Sequence, residues 1–343
     1  MKYRQLGTSG LLVSELCFGT MSFGAQGYWE KIGGLDQTSA QKLVDIALDG
    51  GINFFDTADV YSYGQSEEIL GKALKGKRNN IILATKVRGR MSQEINDVGL
   101  SRRHIIQSCE NSLKRLGTDY IDLYIVHSYD FMTPLEETLS TLNDIVHQGK
   151  IRYLACSNFF AWQLMKALSI SEKHHWEKFI SLQAYYSLVA RDVEYELVPL
   201  CEDQGIGLTP WSPLAGGFLT GKYPRGSQGP KDARRSKEEQ NFLQLNEEKA
   251  YAVLDEVQDI AKVRGVSAAQ VSLNYLLNKS PVSSVIIGAT KAEQLVDNLK
   301  TVEWNLSSEE IAKLDRVSEL PKLYPKWMLD STRLDRDNPN MLL

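Results

Sequence analysis

The chain has 343 residues, 43% hydrophobic and 24% charged, a globular balance that excludes a mostly disordered polymer. Its 39 Lys plus Arg against 43 Asp plus Glu give a net charge of −4, without the basic excess of a general nucleic-acid binder. No apolar run approaches the ~20 residues of a membrane span, and the first residues lack the long apolar core of a secretory signal, so a cytoplasmic location is expected.

From the N-terminus, Met1–Val13 is short and turn-rich around Gly7-Thr-Ser-Gly10 and reads as a hairpin capping one end of the fold. Strand-like runs, most of them apolar on both faces, then alternate with helix-like stretches. Leu16–Phe18 is the first strand. Thr38-Ser-Ala-Gln41 reads as a capping box opening a helix, with Leu43, Val44, Ala47 and Leu48 on one face and Gly50-Gly51 as its stop. Strands follow at Ile52–Phe55 and Ile81–Thr85. Ser101 opens a helix with Ile105, Ile106, Cys109, Leu113 and Leu116 on its apolar face, closed by Gly117. Further strands are expected at Ile121–Val126, Tyr153–Cys156, Ile180–Gln183, Gly207–Thr209 and Val285–Ile287. Ser267-Ala-Ala-Gln270 and Thr290-Lys-Ala-Glu293 read as two more capping boxes. Gly216–Asn241 is a long polar loop, and Leu320–Leu343 an irregular tail. The cysteines, Cys17, Cys109, Cys156 and Cys201, are far apart with no CxxC pair. They read as buried thiols rather than a zinc site or disulfide framework.

Eight βα units in a chain of this size predict a closed (β/α)₈ TIM barrel, with an open doubly wound sheet as the alternative. No linker divides the sequence, so residues 1–343 read as one domain. In such a barrel the chemistry sits at the carboxyl ends of the strands. Those ends carry Gly19-Thr20-Met21, Asp56 with Tyr61 just after, Lys86, His127, Ser157-Asn158, Gln183, Trp211-Ser212 and Gly288. Adjacent strands place Asp56 beside Lys86, and Asp and Lys are almost never buried without a partner. A lysine ammonium next to a phenol favours the phenolate, a carboxylate holds the lysine in place, and a histidine can hydrogen-bond the same substrate oxygen. That group suits protonation of a carbonyl oxygen while its carbon is attacked. No nucleophile elbow, Ser-His-Asp spacing or clustered metal-ligand motif competes, and no catalytic metal is expected.

These residues resemble the aldo-keto reductase family over essentially the whole chain. Gly50–Leu74 (GGINFFDTADVYSYGQSEEILGKAL), Leu83-Ala-Thr-Lys86-Val, Asp122-Leu-Tyr-Ile-Val-His127, Gly149-Lys-Ile-Arg152 with Cys156-Ser-Asn-Phe159, and Trp211-Ser-Pro-Leu-Ala-Gly-Gly217 are each similar to a family segment. The resemblance implies a catalytic tetrad of Asp56, Tyr61, Lys86 and His127. Tyr61 would be the general acid in carbonyl reduction and the base in alcohol oxidation. It implies NADPH/NADP+ as cofactor, carried across the barrel mouth without a Rossmann fold. Gly19, Thr20, Met21 and Asp56 would flank that cofactor. Ser157, Asn158 and Gln183 would hold its carboxamide, and Trp211 would stack on its nicotinamide ring, at a position where tyrosine is common. Ser212, Leu214, Gly216 and Lys222 would follow the pyrophosphate, within a loop expected to close over it. Gly288, Thr290, Lys291, Gln294 and Asn298 would meet the adenosine end, with Lys291 on the 2′-phosphate.

The substrate implied is a small aldehyde or ketone, or the corresponding alcohol, with neither nucleic acid nor membrane as partner; the oligomeric state stays open. Part of the resemblance is shared by potassium-channel β-subunits, which hold the cofactor but act mainly as partners. They carry asparagine at the histidine position, so His127 favours an enzyme. The remaining histidines, His104, His147, His174 and His175, read as surface residues, and Tyr275 with Lys279 as a helix-face tyrosine and a surface lysine.

Overall fold

A computed structural model describes residues 1–226, 229, 230, 243 and 245–332. Lys231, Arg234 and Arg235, cations of the long polar loop expected to close over the cofactor, and the tail beyond residue 332, lie outside the described residues.

Two short strands, β1 (Tyr3–Gln5) and β2 (Leu12–Ser14), pair antiparallel as the expected hairpin. The strands β3 (Leu16–Gly19), β4 (Phe54–Asp56), β5 (Ile82–Val87), β6 (Ile121–Val126), β7 (Ile151–Ser157), β8 (Phe179–Tyr185), β9 (Gly207–Trp211) and β10 (Val285–Ile287) form one eight-stranded sheet. All neighbours are parallel, in the order β10-β3-β4-β5-β6-β7-β8-β9. The ring closes where Leu208 bridges Val282: the Leu208 amide donates to the Pro281 carbonyl at 2.6 Å and the Ser283 amide to the Leu208 carbonyl at 3.0 Å. The fold is therefore the (β/α)₈ barrel, not the open sheet. Helices α1 (Gln37–Asp49), α2 (Gln65–Ala73), α3 (Arg102–Leu116), α4 (Leu135–His147), α5 (Ala161–His174) and α6 (Leu197–Gln204) connect consecutive barrel strands. Then α7 (Glu247–Arg264) and α8 (Ala268–Leu277) lead into β10, followed by α9 (Ala292–Leu299), α10 (Ser308–Val317) and α11 (Lys326–Thr332). No helix among the described residues is long and apolar enough to cross a membrane.

The period-2 alternation of a strand sorts its side chains into two cores. Phe18, Phe55, Leu83, Tyr124, Leu154, Leu182 and Val285 face outward and pack under the helices. Cys17, Phe54, Ala84, Leu123, Ile125, Ala155 and Ile286 face inward and fill the barrel. Leu6 and Val13 of the hairpin join that inner layer and plug the amino end. Burying such a side chain stabilises by about 1.5–3 kcal/mol, so the hairpin is held by its two apolar residues as much as by its short ladder. All four cysteines are buried free thiols.

Two capping assignments need correction. Helix α1 is capped by Asp36, whose carboxylate accepts from the Ser39 amide at 2.8 Å, and not by Thr38, which lies in the first turn. At α9 the Thr290 hydroxyl does not cap; Gln294 Oε1 reaches back to the amides of Thr290 (3.0 Å) and Lys291 (3.3 Å). Ser101 and Ser267 cap α3 and α8 as read, and Gly117 ends α3 in the left-handed conformation.

Candidate active site

One pleat beyond the inner apolar layer, the alternation that buries Phe54, Ala84, Ile125 and Ala155 carries Asp56, Lys86, His127 and Ser157 to the carboxyl mouth. Lys86 lies inside β5, not just after it, and is fully buried. Its ammonium donates to Asp56 Oδ1 at 2.5 Å, to the Thr57 carbonyl at 2.7 Å and to the Tyr61 hydroxyl at 3.3 Å. Burial by itself would pull the lysine pKa down. Asp56, aided by Tyr61, outweighs that and holds it above the ordinary lysine value, so Lys86 is a permanent cation. Removing one partner from a buried pair of this kind typically costs about 3–5 kcal/mol.

Tyr61 is aimed by its own loop. The residues after it, Ser62, Tyr63 and Gly64, have φ of 48°, 51° and 94°, three left-handed residues that reverse the chain into α2. The Ser62 hydroxyl fixes the turn by donating to the Phe23 carbonyl, and the Asp59 amide ties the loop to Lys86 O. His127 follows β6, with its ring 5.9 Å from that of Tyr61 and edge-on to it. His127 is half-buried, and burial, with Lys86 and Arg88 nearby, holds its pKa down to about 3. It is therefore neutral at physiological pH and can donate or accept one hydrogen bond. Trp29 packs edge-on against Tyr61 at 5.0 Å.

The structure thus brings Asp56, Tyr61, Lys86 and His127 to one place. Around them, Gln183 donates to Asp56 Oδ2 at 2.9 Å. Asn158, at φ 55°, donates to the His127 carbonyl and to Ser157 Oγ and accepts from the Trp211 indole at 3.2 Å. Tyr185 backs the Trp211 ring, 4.9 Å away. Gly19 ends β3, where a Cβ would strike Ile286, and Met21 is half-buried beyond it. Thr20 is turned to other work, its buried hydroxyl bonding the Asp56 carbonyl and Ser66.

Further out, Ser212 Oγ accepts from the Gly216 amide, and Leu214 precedes the turn. Lys222 lies near the Tyr223 ring. Gly288 faces open space, Lys291 is exposed at the start of α9, and Asn298 is buried on that helix. Carboxamide-sized polar groups, an indole and two outlying cations suit a nicotinamide dinucleotide. Among the described residues no group of three or more His, Cys, Asp or Glu stands close enough to hold a metal ion.

Three residues here have no role assigned from the sequence. Asp59 is buried between Asp56 and Tyr61, and burial, with Glu67 adding, pushes its carboxyl pKa well up. Arg88 stands two residues beyond Lys86, so the same alternation could have pointed to it. His104, expected at the surface, is buried beside Ser108 and Asp97, because α3 turns that face against the loop ahead of it.

Residues 15–319 match the sequence model of the aldo/keto reductase family. The chain is 36% identical over 343 residues to a versiconal hemiacetal acetate reductase from Aspergillus parasiticus, covering 92% of this chain and 96% of that one. It is 36% identical over 339 residues to an aldo-keto reductase from Alternaria alternata, covering 91% and 90%. It is also 38% identical over 326 residues to a protein of Oryza sativa subsp. japonica named for a voltage-gated potassium channel subunit beta, covering 92% and 96%.

Proposed function

The chain belongs to the aldo/keto reductase family, and from that premise we propose that it is an NADPH-dependent reductase converting aldehydes or ketones to alcohols, reversibly. The observation that carries this reading is the Tyr61 hydroxyl 3.3 Å from a lysine ammonium that is itself held by Asp56. A cation at that distance favours the phenolate, so the phenol can release its proton to a carbonyl oxygen and recover it in the reverse direction. His127, neutral, orients the carbonyl oxygen by a hydrogen bond. Asp56 and Gln183 keep the lysine and the mouth in register. The nicotinamide supplies the hydride when bound. Ser157, Asn158, Gln183 and Trp211 would hold its ring, Ser212, Leu214, Gly216 and Lys222 its pyrophosphate, and Gly288, Thr290, Lys291, Gln294 and Asn298 its adenosine end.

The relative named for a channel subunit supports the alternative of a cofactor-holding partner protein. His127, neutral and beside Tyr61, supports catalysis. A panel of aldehydes and ketones, assayed with NADPH and with NADH by loss of the nicotinamide absorbance, separates the two. Turnover of one or more carbonyls supports the enzyme. Tight cofactor binding with no turnover across the panel would overturn it in favour of the partner role.

A further inference from the structure

We propose that Arg88 selects the substrate, and that the carbonyl compound taken at this mouth carries an oxyanion, of which a carboxylate is the simplest form. The proposal rests on the carbonyl-reductase reading above and adds the substrate's charge to it.

Arg88 lies immediately after β5, two residues beyond Lys86, with φ of 132°, a conformation L residues rarely adopt. Strain of this kind clusters where a side chain is held for a task. Its guanidinium makes no hydrogen bond or ion pair among the described residues, and its Nε is buried without an acceptor. Four other arginines are each paired with a carboxylate: Arg4 with Glu15, Arg78 with Asp122, Arg115 with Glu67 and Arg264 with Glu310. A buried donor left unpaired is rare, and a guanidinium fork matches a carboxylate in a two-bond geometry.

The neighbouring acid does not take that role. Asp130 is near enough to feel the Arg88 charge. Its oxygens are committed, Oδ2 to the Leu100 amide at 2.8 Å and the Thr133 hydroxyl at 2.7 Å, and Oδ1 to the Met132 amide at 3.0 Å. Asp130 therefore feels the cation without a hydrogen bond or ion pair to it. Lys86 is neutralised by Asp56, so Arg88 is the charge left over beside His127.

The topology separates this cation from the cofactor's phosphates. In the eight-stranded ring β5 is four places from β9, directly across the mouth. Lys222 follows β9 and Lys291 follows β10, so the dinucleotide's anions belong to the far side. An anion reaching Arg88 arrives with the substrate. The edge-on Trp29 against Tyr61 makes an aromatic aldehyde a suitable probe.

The test compares 3- and 4-carboxybenzaldehyde with their methyl esters, using NADPH. Each pair shares ring and aldehyde and differs in charge. For at least one isomer the wild type should show kcat/KM about tenfold or more higher for the acid, mainly through KM. Arg88→Gln should bring that acid-to-ester ratio down about tenfold, and Arg88→Lys should keep part of it. Taking the ratio cancels any general effect of the substitution on chemistry or folding. A wild-type ratio near one for both isomers, or one that survives in Arg88→Gln, overturns the proposal.

A binding measurement keeps the idea independent of turnover. Terephthalate titrated by tryptophan fluorescence onto the enzyme with NADP+ should bind the wild type about tenfold more tightly than Arg88→Gln; equal affinity for both also overturns it. No turnover of any aldehyde, with terephthalate still bound through Arg88, would instead count against the carbonyl-reductase reading alone.

Discussion

At the scale of single residues, the site is a set of charges whose order is enforced by burial. The Tyr61 phenol meets one cation, and that cation meets one carboxylate. Tyr61→Phe removes only the hydroxyl. Carbonyl reduction is expected to fall at least ~10²-fold while NADPH still binds; turnover near wild type would remove Tyr61 as the proton donor. Lys291 is exposed at the start of α9. A charge-assisted contact to a 2′-phosphate is worth about 1.5–3 kcal/mol. Lys291→Ala should therefore weaken NADPH roughly tenfold or more in a fluorescence titration and leave NADH unchanged; equal losses for both would place the lysine elsewhere on the cofactor.

Asp59 is a different case. Neither carboxyl oxygen has a well-formed hydrogen bond among the described residues, and burial raises its pKa. The folded chain thus holds this proton above the ~3.9 of an unfolded aspartate. The stability it contributes is complete below that value and is lost as pH rises through the raised one. Asp59→Asn should raise Tm more at pH 8 than at pH 5, and a Tm difference independent of pH would show that Asp59 is ionised throughout. His127 works with the opposite sign. Its depressed pKa contributes stability above about 6.5 that is lost as pH falls towards about 3.

At the scale of elements, local capping chemistry was readable where one residue type could serve. Ser101 and Ser267 accept from the amides three residues on, as their spacing implies. The start of α1 was misread because Thr38 and Gln41 satisfy the same spacing that Asp36 and Ser39 do. A carboxylate is the stronger acceptor at the positive end of a helix, and Asp36 took the position. Asp36→Ala should cost about 1 kcal/mol in urea unfolding while Thr38→Ala costs much less; the reverse order would restore the sequence reading. Strand extents shifted for a related reason. Apolar runs marked Ile81–Thr85 and Gly207–Thr209, but the ladder runs on through Lys86 and through Trp211, because hydrogen bonding to a neighbour does not depend on side-chain polarity. Tyr275 and Lys279, read as a helix-face tyrosine and a surface lysine, both turn to Asp315: the phenol donates at 2.5 Å and the lysine pairs at 2.8 Å.

At the scale of the whole molecule, the two ends of the barrel divide the work. The carboxyl end holds the polar cluster, and the amino end is sealed by the hairpin. Gly7, at φ 62°, sits so close to the sheet that a Cβ would lie 2.6 Å from the carbonyl oxygens of Gly205 and Ile180. Gly7→Ala combines a left-handed backbone penalty with that clash and should destabilise by about 2 kcal/mol or more. Activity per folded molecule should be intact, because the substitution is at the opposite end from Lys86. A loss of kcat without a loss of stability would mean that the plug is coupled to the mouth.

Much of this molecule could be derived from its residues in order. The alternation of short apolar runs with capped amphipathic helices determines eight βα units. The strand-end residues Asp56, Lys86 and His127 stand out because ionisable groups at the edge of apolar strands need partners. What tertiary structure decided is what depends on neighbours distant in the chain: that the sheet closes at Leu208 and Val282, that Asp59 and His104 are buried, and that among the described residues no carboxylate pairs with Arg88 while Asp130 serves two backbone amides and the Thr133 hydroxyl. Periodicity sets which side of an element a residue occupies, because that follows from local geometry. Whether a charge there is matched is set by groups that only the closed ring brings within reach.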